Sequence, residues 1–257
     1  MVGINAFFIE THAHLDLIKR NAHEVLRDAL ENRVEKIITI GVDLPTSEIA
    51  VEYTSHFTAV YASIGYHPHE SKHLDEFKLK ELEKIAQNPK VIAIGETGLD
   101  YYWKHSPLDV QAEVFKKQIN LARKLGLPLI VHNREAHQDT LKILAEEARG
   151  LKILLHCFSG DVNIARECIR LNYYLGIGGV ITFSNAKKLR AVVEEIPLEN
   201  LMLETDSPYL TPHPFRGKPN EPKYIPFIAE KIAELKGIEV EEVARVTSNT
   251  AQKFFKI

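Results

Sequence analysis

Eight short apolar runs, each followed by an amphipathic stretch, divide this 257-residue chain, and five of the eight end in a histidine or a carboxylate. The runs are Phe7–Thr11, Lys36–Ile40, Val60–Ile64, Val91–Gly95, Leu129–Val131, Ile153–Leu155, Tyr173–Gly176 and Leu201–Glu204. Several are unbroken β-branched or apolar segments, as strands covered on both faces must be. Helical periodicity fills the stretches between. In Leu108–Leu125, Val110, Val114, Leu121 and Leu125 share one face, with Lys116, Lys117, Arg123 and Lys124 mostly opposite. Gly126 and Pro128 end that helix. Eight strands alternating with helices predict an α/β fold, a (β/α)8 TIM barrel forming one domain over residues 1–257. An open doubly wound sheet is the competing architecture. It gathers ligands in one crevice and accounts poorly for ligand-type residues at five separate strand ends.

Those residues are His12 and His14 in FFIETHAHLD, Glu96 in VIAIGETGLD, His132 in LPLIVHN, His156 in KILLHCF and Asp206 in LMLETDSP. Barrel enzymes place their catalytic groups at the C-terminal ends of several strands. Each residue alone has a plain alternative. An H-x-H pair is common on surfaces, Glu96 could cap a helix, a lone histidine after a strand is usually a satisfied core residue, and Asp206 could cap a turn with Ser207. Five such coincidences at five strand ends are improbable, so the set predicts a metal centre at the barrel mouth. His12 and His14 are two apart and point to the same face, where they can share one ion. Glu96 has two oxygens and can bridge two. Imidazole and carboxylate suit Zn, Mn, Fe or Ni, and carboxylate also suits Mg. Two divalent ions roughly 3.5–4 Å apart stabilise both the attacking and leaving oxygens of a displacement, and a metal lowers the pKa of its water to about 7. Such a site needs no serine or cysteine nucleophile.

Composition narrows the class further. The formal charge is −3, so any polyanion must be held by a local basic patch and not by the whole surface. Two cysteines, Cys157 and Cys168, point to free thiols in a reducing compartment, not to a disulfide scaffold. No signal peptide is expected, and no apolar run reaches the roughly 18 residues of a membrane span, so a cytoplasmic protein is predicted. No internal repeat or low-complexity segment stands out. The Pro-rich stretch Pro208–Pro226 follows the eighth strand and reads as a long loop on the face that carries the site.

Six blocks carry a resemblance: THAHLD at 11–16, GYHPHE at 65–70, GETGLDYY at 95–102, LPLIVHNREA at 127–136, HCFSG at 156–160 and ETDSPYLTPHPFRGKPNEP at 204–222. In these blocks, and in their order, the chain resembles the TatD family of metal-dependent deoxyribonucleases, within the amidohydrolase-like metal barrels. The match runs nearly end to end. It implies that His12, His14 and Asp206 bind one metal, and that Glu96 bridges to a second held by His132 and His156. Glu10 stands where the family usually has Asp, two before the H-x-H pair; since that position is not a usual ligand, little consequence is expected. Many related hydrolases bridge their metals with a carbamylated lysine. Here the matching strand ends in Glu96, which favours the TatD branch over the amide and lactone hydrolases.

On the same match, His67 and His69 are expected to contact substrate or support the ligands. Arg134, Arg216 and Lys218 lie in top-face loops and could grip phosphates, arginine in a bidentate way. Lys187, Lys188 and Arg190 either extend a backbone track or form a solvated face. Tyr101, Tyr102 and Trp103 could stack on bases, although burial against a helix is the commoner fate of such rings. Cys157 should alternate away from His156 and pack outward, with no catalytic role. The predicted function is metal-dependent cleavage of DNA phosphodiester bonds from a strand end. Two divalent ions (Zn, Mg or Mn) serve it, Asp206 handles the water's proton and Glu96 joins the metals. DNA is the expected partner, with no membrane and no obligate protein partner. The alternative is a small-molecule ester or amide hydrolase, or a deaminase, on the same metals. A non-catalytic binding barrel is a third reading, which an intact set of six ligands argues against.

Overall fold

The apolar runs form eight parallel strands in the computed structural model, which describes residues 6–257. They are β1 (Phe8–Ala13), β2 (Val34–Ile40), β3 (Val60–Ile64), β4 (Val91–Asp100), β5 (Leu129–Arg134), β6 (Ile153–Leu155), β7 (Tyr174–Ile177) and β8 (Leu201–Leu203). Each pairs in parallel with the next in chain order. A parallel bridge between Ala13 and Ser207 brings the two ends of the sheet together just beyond β8. There His14 N–H donates to the Ser207 carbonyl at 2.8 Å and Asp206 N–H donates to the His12 carbonyl at 2.9 Å. The result is a nearly closed (β/α)8 TIM barrel. Helices α1 (Ala22–Glu31), α2 (Leu44–His56), α3 (Glu76–Ile85), α4 (Leu108–Leu125), α5 (His137–Glu147), α6 (Val162–Arg170), α7 (Lys187–Glu195), α8 (Ile225–Lys236) and α9 (Val240–Phe255) surround it. Among the described residues, no helix is long and apolar enough to cross a membrane.

Helix α4 ends as its sequence dictates. Gly126 takes a left-handed conformation (φ 67°) and caps the last turn, while Val114 and Leu121 are buried. The large apolar cluster lies between strands and helices and includes Leu129, Val131, Ile153 and Leu155. A second, smaller cluster holds Ile38, Ile40, Ile130, Leu154 and Met202. Ile130 and Leu154 are two residues before His132 and His156, so alternation places this cluster inside the barrel, beneath the mouth. Phe254 and Phe255, at the end of α9, pack against it. Lys152, just before β6, donates to the Phe254 carbonyl at 3.1 Å, which fixes the tail at the N-terminal ends of the strands. Apolar side chains therefore seal the barrel from below, and the strand-end residues open only upward.

Candidate metal centre

Strand β4 does not stop at Gly95, as the sequence suggests, but continues to Asp100. Its pairing with β5 slips between Ile94 and Thr97, so β4 carries one extra residue there. Two glycines allow the bulge. Gly95 (φ +148°) and Gly98 (φ +138°) lie where side chains are rarely tolerated, and an added Cβ would fall 2.4 Å from the Ile130 carbonyl oxygen and 2.0 Å from that of His132. Bulges re-aim side chains next to active sites. Here the bulge presents Glu96 to the centre of the mouth.

The two oxygens of Glu96 face different partners. Oε2 lies 3.3 Å from His12 Nε2 and 3.9 Å from His14 Nε2. Oε1 lies 2.7 Å from His132 Nδ1, 2.8 Å from His156 Nε2 and 3.5 Å from His67 Nε2. Asp206 Oδ1 is 3.6 Å from His14 Nε2 and 3.9 Å from His12 Nε2. All six residues picked from strand ends thus meet. Ligand-type atoms of His12, His14 and Asp206 lie within 4.8 Å of one another, as do those of His67, Glu96 and His132. His67 joins the ligand-type atoms themselves, with Nε2 3.3 Å from His132 Nδ1. With Glu96 and His132 it forms a group that could hold an ion.

The residues fit a divalent ion. Both ring nitrogens of His12 and Nδ1 of His156 are buried with no hydrogen-bond partner. Buried polar atoms nearly always have one. Burial would raise Glu96, but the imidazoles of His156, His67 and His12 hold its carboxyl well below the usual range. Burial would lower His156, but Glu96 and Glu204 hold it well above the ordinary histidine value. Asp206 is also held low, against burial, by a hydrogen bond to His14 and by neighbouring imidazoles. Burial holds His12 and His67 below the ordinary histidine value, so neutral imidazoles stand beside anionic carboxylates, the donor states that a metal cation needs. Asp206 itself sits at φ 56°, a left-handed conformation that Asp tolerates better than most residues.

Two carboxylates behind these residues, Asp100 and Glu204, were not among the predicted site residues, and a third, Glu10, was expected to matter little. Asp100 Oδ2 lies 3.1 Å from His132 Nε2 and 2.9 Å from His69 Nε2, while Oδ1 accepts from the Tyr102 and Trp103 amides at 2.9 Å. Glu204 is fully buried and stands 3.6 Å from His156 Nδ1. Glu10 is more consequential than its sequence position suggests. It is fully buried and accepts from the amides of His12 and Thr205, tying β1 to the chain that leads into Asp206. Burial pushes its carboxyl up to about 8, above the usual carboxylate range. The available signal was position: each lies two to four residues from a ligand-type residue.

Above the cluster lies a cavity of about 720 Å³. His67, His69 and Arg134 line it, as do Trp103 and Tyr209. Arg216 is not among the lining residues; its guanidinium lies 3.9 Å over the Phe183 ring and donates to the Thr211 carbonyl. Lys187, Lys188, Arg190 and Lys218 are likewise outside the lining. Arg190 is spent on the carbonyls of Ile181 and Phe183. Tyr101 is half-buried, with its hydroxyl donating to Asp139, but Tyr102 and Trp103 are exposed and not packed under a helix. Cys157 also differs from expectation. β6 ends at Leu155, so strand alternation no longer governs residue 157, and a φ of 43° turns Cys157 into the cavity lining. Burial and nearby carboxylates push its thiol well up, so it stays neutral and is a poor metal ligand.

A (β/α)8 barrel with histidines and carboxylates gathered at five strand ends has the build of a metal-dependent hydrolase. The profile of the family described as TatD related DNase matches residues 9–256, and the chain belongs to that family. It is 46% identical over 251 residues to the metal-dependent hydrolase YabD of Bacillus subtilis, covering 96% of this chain and 98% of YabD. It is 36% identical to the metal-dependent hydrolase TatD of Mycobacterium tuberculosis, covering 96% of this chain and 97% of the relative. The crystal structure of YjjV, a TatD homologue from Escherichia coli, superposes with a TM-score of 0.92 at 29% identity, covering 97% of this chain and 98% of that one.

Proposed function

We propose that the protein is a two-metal phosphodiesterase that cleaves DNA, acting from a strand end. The observation that carries this reading is the division of Glu96, with Oε2 toward His12 and His14 and Oε1 toward His132 and His156. A carboxylate so placed can join two ions. His12, His14 and Asp206 would hold one of them, and His132 and His156 the other, with His67 beside them. Bound Zn, Mg or Mn ions supply charge that neutralises a phosphate and a water acidic enough to attack near neutral pH. Asp206, held anionic at the mouth, would orient a water and accept its proton. The description of the matching family supports DNA as the substrate. Two free cysteines agree with a reducing, cytoplasmic setting.

One observation favours a smaller substrate on the same machinery. Among the described residues, Arg134 is the single lysine or arginine lining the cavity, which leaves little to track a long phosphate backbone. The deciding assay offers single- and double-stranded oligonucleotides with Mg, Mn or Zn, beside a panel of carboxylic esters, amides and amino-nucleobases. Oligonucleotide cleavage that disappears on chelation is the expected result. Turnover confined to the small molecules would replace the DNA reading with the hydrolase or deaminase one.

A further inference from the structure

We infer that Asn220 is the positioning residue for Asp206: its carboxamide braces the turn on both sides of that carboxylate and keeps it aimed at His12 and His14. The inference rests on the reading of Asp206 as ligand and proton acceptor given above. Asp206 needs such a brace. Its φ is 56°, and Leu210, four residues on, is also left-handed at 54°. Two residues other than glycine in so sparsely populated a region persist only where their surroundings over-determine them. The leucine has no short polar side chain to bond locally, so the restraint must come from outside the turn.

Asn220 supplies it. The residue is fully buried, and both ends of its carboxamide are used. Nδ2 donates to the Thr205 carbonyl at 2.8 Å, one residue before Asp206, and to the Tyr209 carbonyl, three residues after it. Oδ1 accepts from the Glu221 amide at 3.0 Å, which turns the Nδ2 end toward the turn. The Asn220 backbone N–H adds a bond to the Pro208 carbonyl at 3.0 Å. Thr205 is held from the other side as well, its N–H donating to Glu10 Oε1 at 2.9 Å. The chain entering Asp206 is thus pinned to β1, and Asn220 closes the chain that leaves it.

The brace has its own anchor. Glu221, next in sequence, pairs with Arg20 and, at 3.2 Å, with Lys223 Nζ. Both cations also meet Asp28 of α1, at 3.0 and 3.2 Å. Asn220 is therefore fixed against α1 and not only by the loop that carries it. Asparagine suits the position on chemical grounds. An aspartate lacks the two donors, and a glutamine adds a methylene to a site with no room for one.

Asn220→Leu keeps the approximate volume and removes both donors. Hydrogen exchange on the metal-free protein reads the brace without any substrate. The amides of Asp206 and Tyr209 should exchange about tenfold faster or more, because two hydrogen bonds are lost, while those of β4 and β5 stay protected. Turnover of bis-p-nitrophenyl phosphate by the Mn-saturated protein is then followed through a double-mutant cycle with Asp206→Asn. Asn220→Leu should lower kcat by about 10–100-fold when Asp206 is present and add nothing in the Asp206→Asn protein. Unchanged exchange at the two amides, faster exchange spread over the whole barrel, or equal losses of kcat in both backgrounds would overturn the inference. Should Asn220→Leu fail to fold, Asn220→Ser, which keeps one donor, is judged by the same two readouts. No phosphodiester hydrolysis by the unaltered protein would sink the catalytic reading, and the exchange result would still decide the brace.

Discussion

His132 donates a hydrogen bond from Nε2 to Asp100 at 3.1 Å, leaving Nδ1 to face Glu96 at 2.7 Å. Both carboxylates are anionic and accept only, so the imidazole donates to each, and with a cation at the centre the Asp100 contact would keep the proton on Nε2 and leave Nδ1 to the ion. Replacing Asp100 by Asn should therefore lower metal affinity or turnover by about 10–100-fold without unfolding the chain. A metal titration read together with kcat checks this. Unchanged affinity and turnover would show that packing alone orients the ring.

Glu96 and Asp206 should fail in different ways. Glu96→Gln keeps the shape but cannot serve two cations equally, so bound metal should drop and activity should partly return with excess ion. Asp206→Asn should retain much of its metal through His12 and His14 yet lose turnover by about 10²–10⁴-fold, because an amide accepts no proton. Excess ion should not restore that loss. Full recovery of Asp206→Asn on metal addition would reduce the residue to a ligand and move the base elsewhere.

Chelation should abolish activity and leave the barrel standing. The ligand-type residues sit above a core that Phe254 and Phe255 close from below, so the apolar contacts do not depend on the mouth. A small zinc domain lacks such a core and unfolds without its ion. Far-ultraviolet circular dichroism before and after metal removal decides it; loss of the helical signal would make the ions structural.

A pH dependence of stability follows from Asp28 on α1. Its carboxyl accepts from Arg20 Nη1 at 3.0 Å and Lys223 Nζ at 3.2 Å, and these hydrogen bonds pull it down to about 2 from the ordinary 3.8. A depressed folded-state value stabilises above the unfolded value and loses that stabilisation as pH falls through the folded one. The native protein should thus melt above Asp28→Asn at pH 7, with the gap steady down to about pH 4 and closing toward pH 2. The group is near the surface, so salt should narrow the gap. A gap that persists unchanged at pH 2 would assign it to packing instead.

The ligand-type residues could be read from the chain because each ends an apolar run, and a run of that length fixes both the strand and the face its last residues present. His12, Glu96 and Asp206 needed nothing more. His67 lies beyond the strand, at the start of the 3-10 turn Pro68–His73, where no periodicity predicts direction. Asp100 became legible only once β4 proved to continue through its bulge. Arg216 lies in a long irregular loop, and its nearest ring, Phe183, comes from a segment after β7 that sequence spacing does not bring to mind. Fold and candidate ligands follow from local rules, whereas the supporting carboxylates and the loop cations depend on contacts between distant strands.

The seam that joins the sheet ends also orders events in time. Glu10 and Thr205, 195 residues apart, hydrogen-bond at that seam, and His12 and Asp206 become neighbours only when it forms. Contacts so far apart in sequence carry a large loop-closure entropy and tend to form late. A nascent or half-assembled chain therefore has the histidines but not the chelate. Acquisition of metal affinity should trail the appearance of helical structure during refolding, and a metallochromic dye would serve as a stopwatch for the final docking of first strand on last.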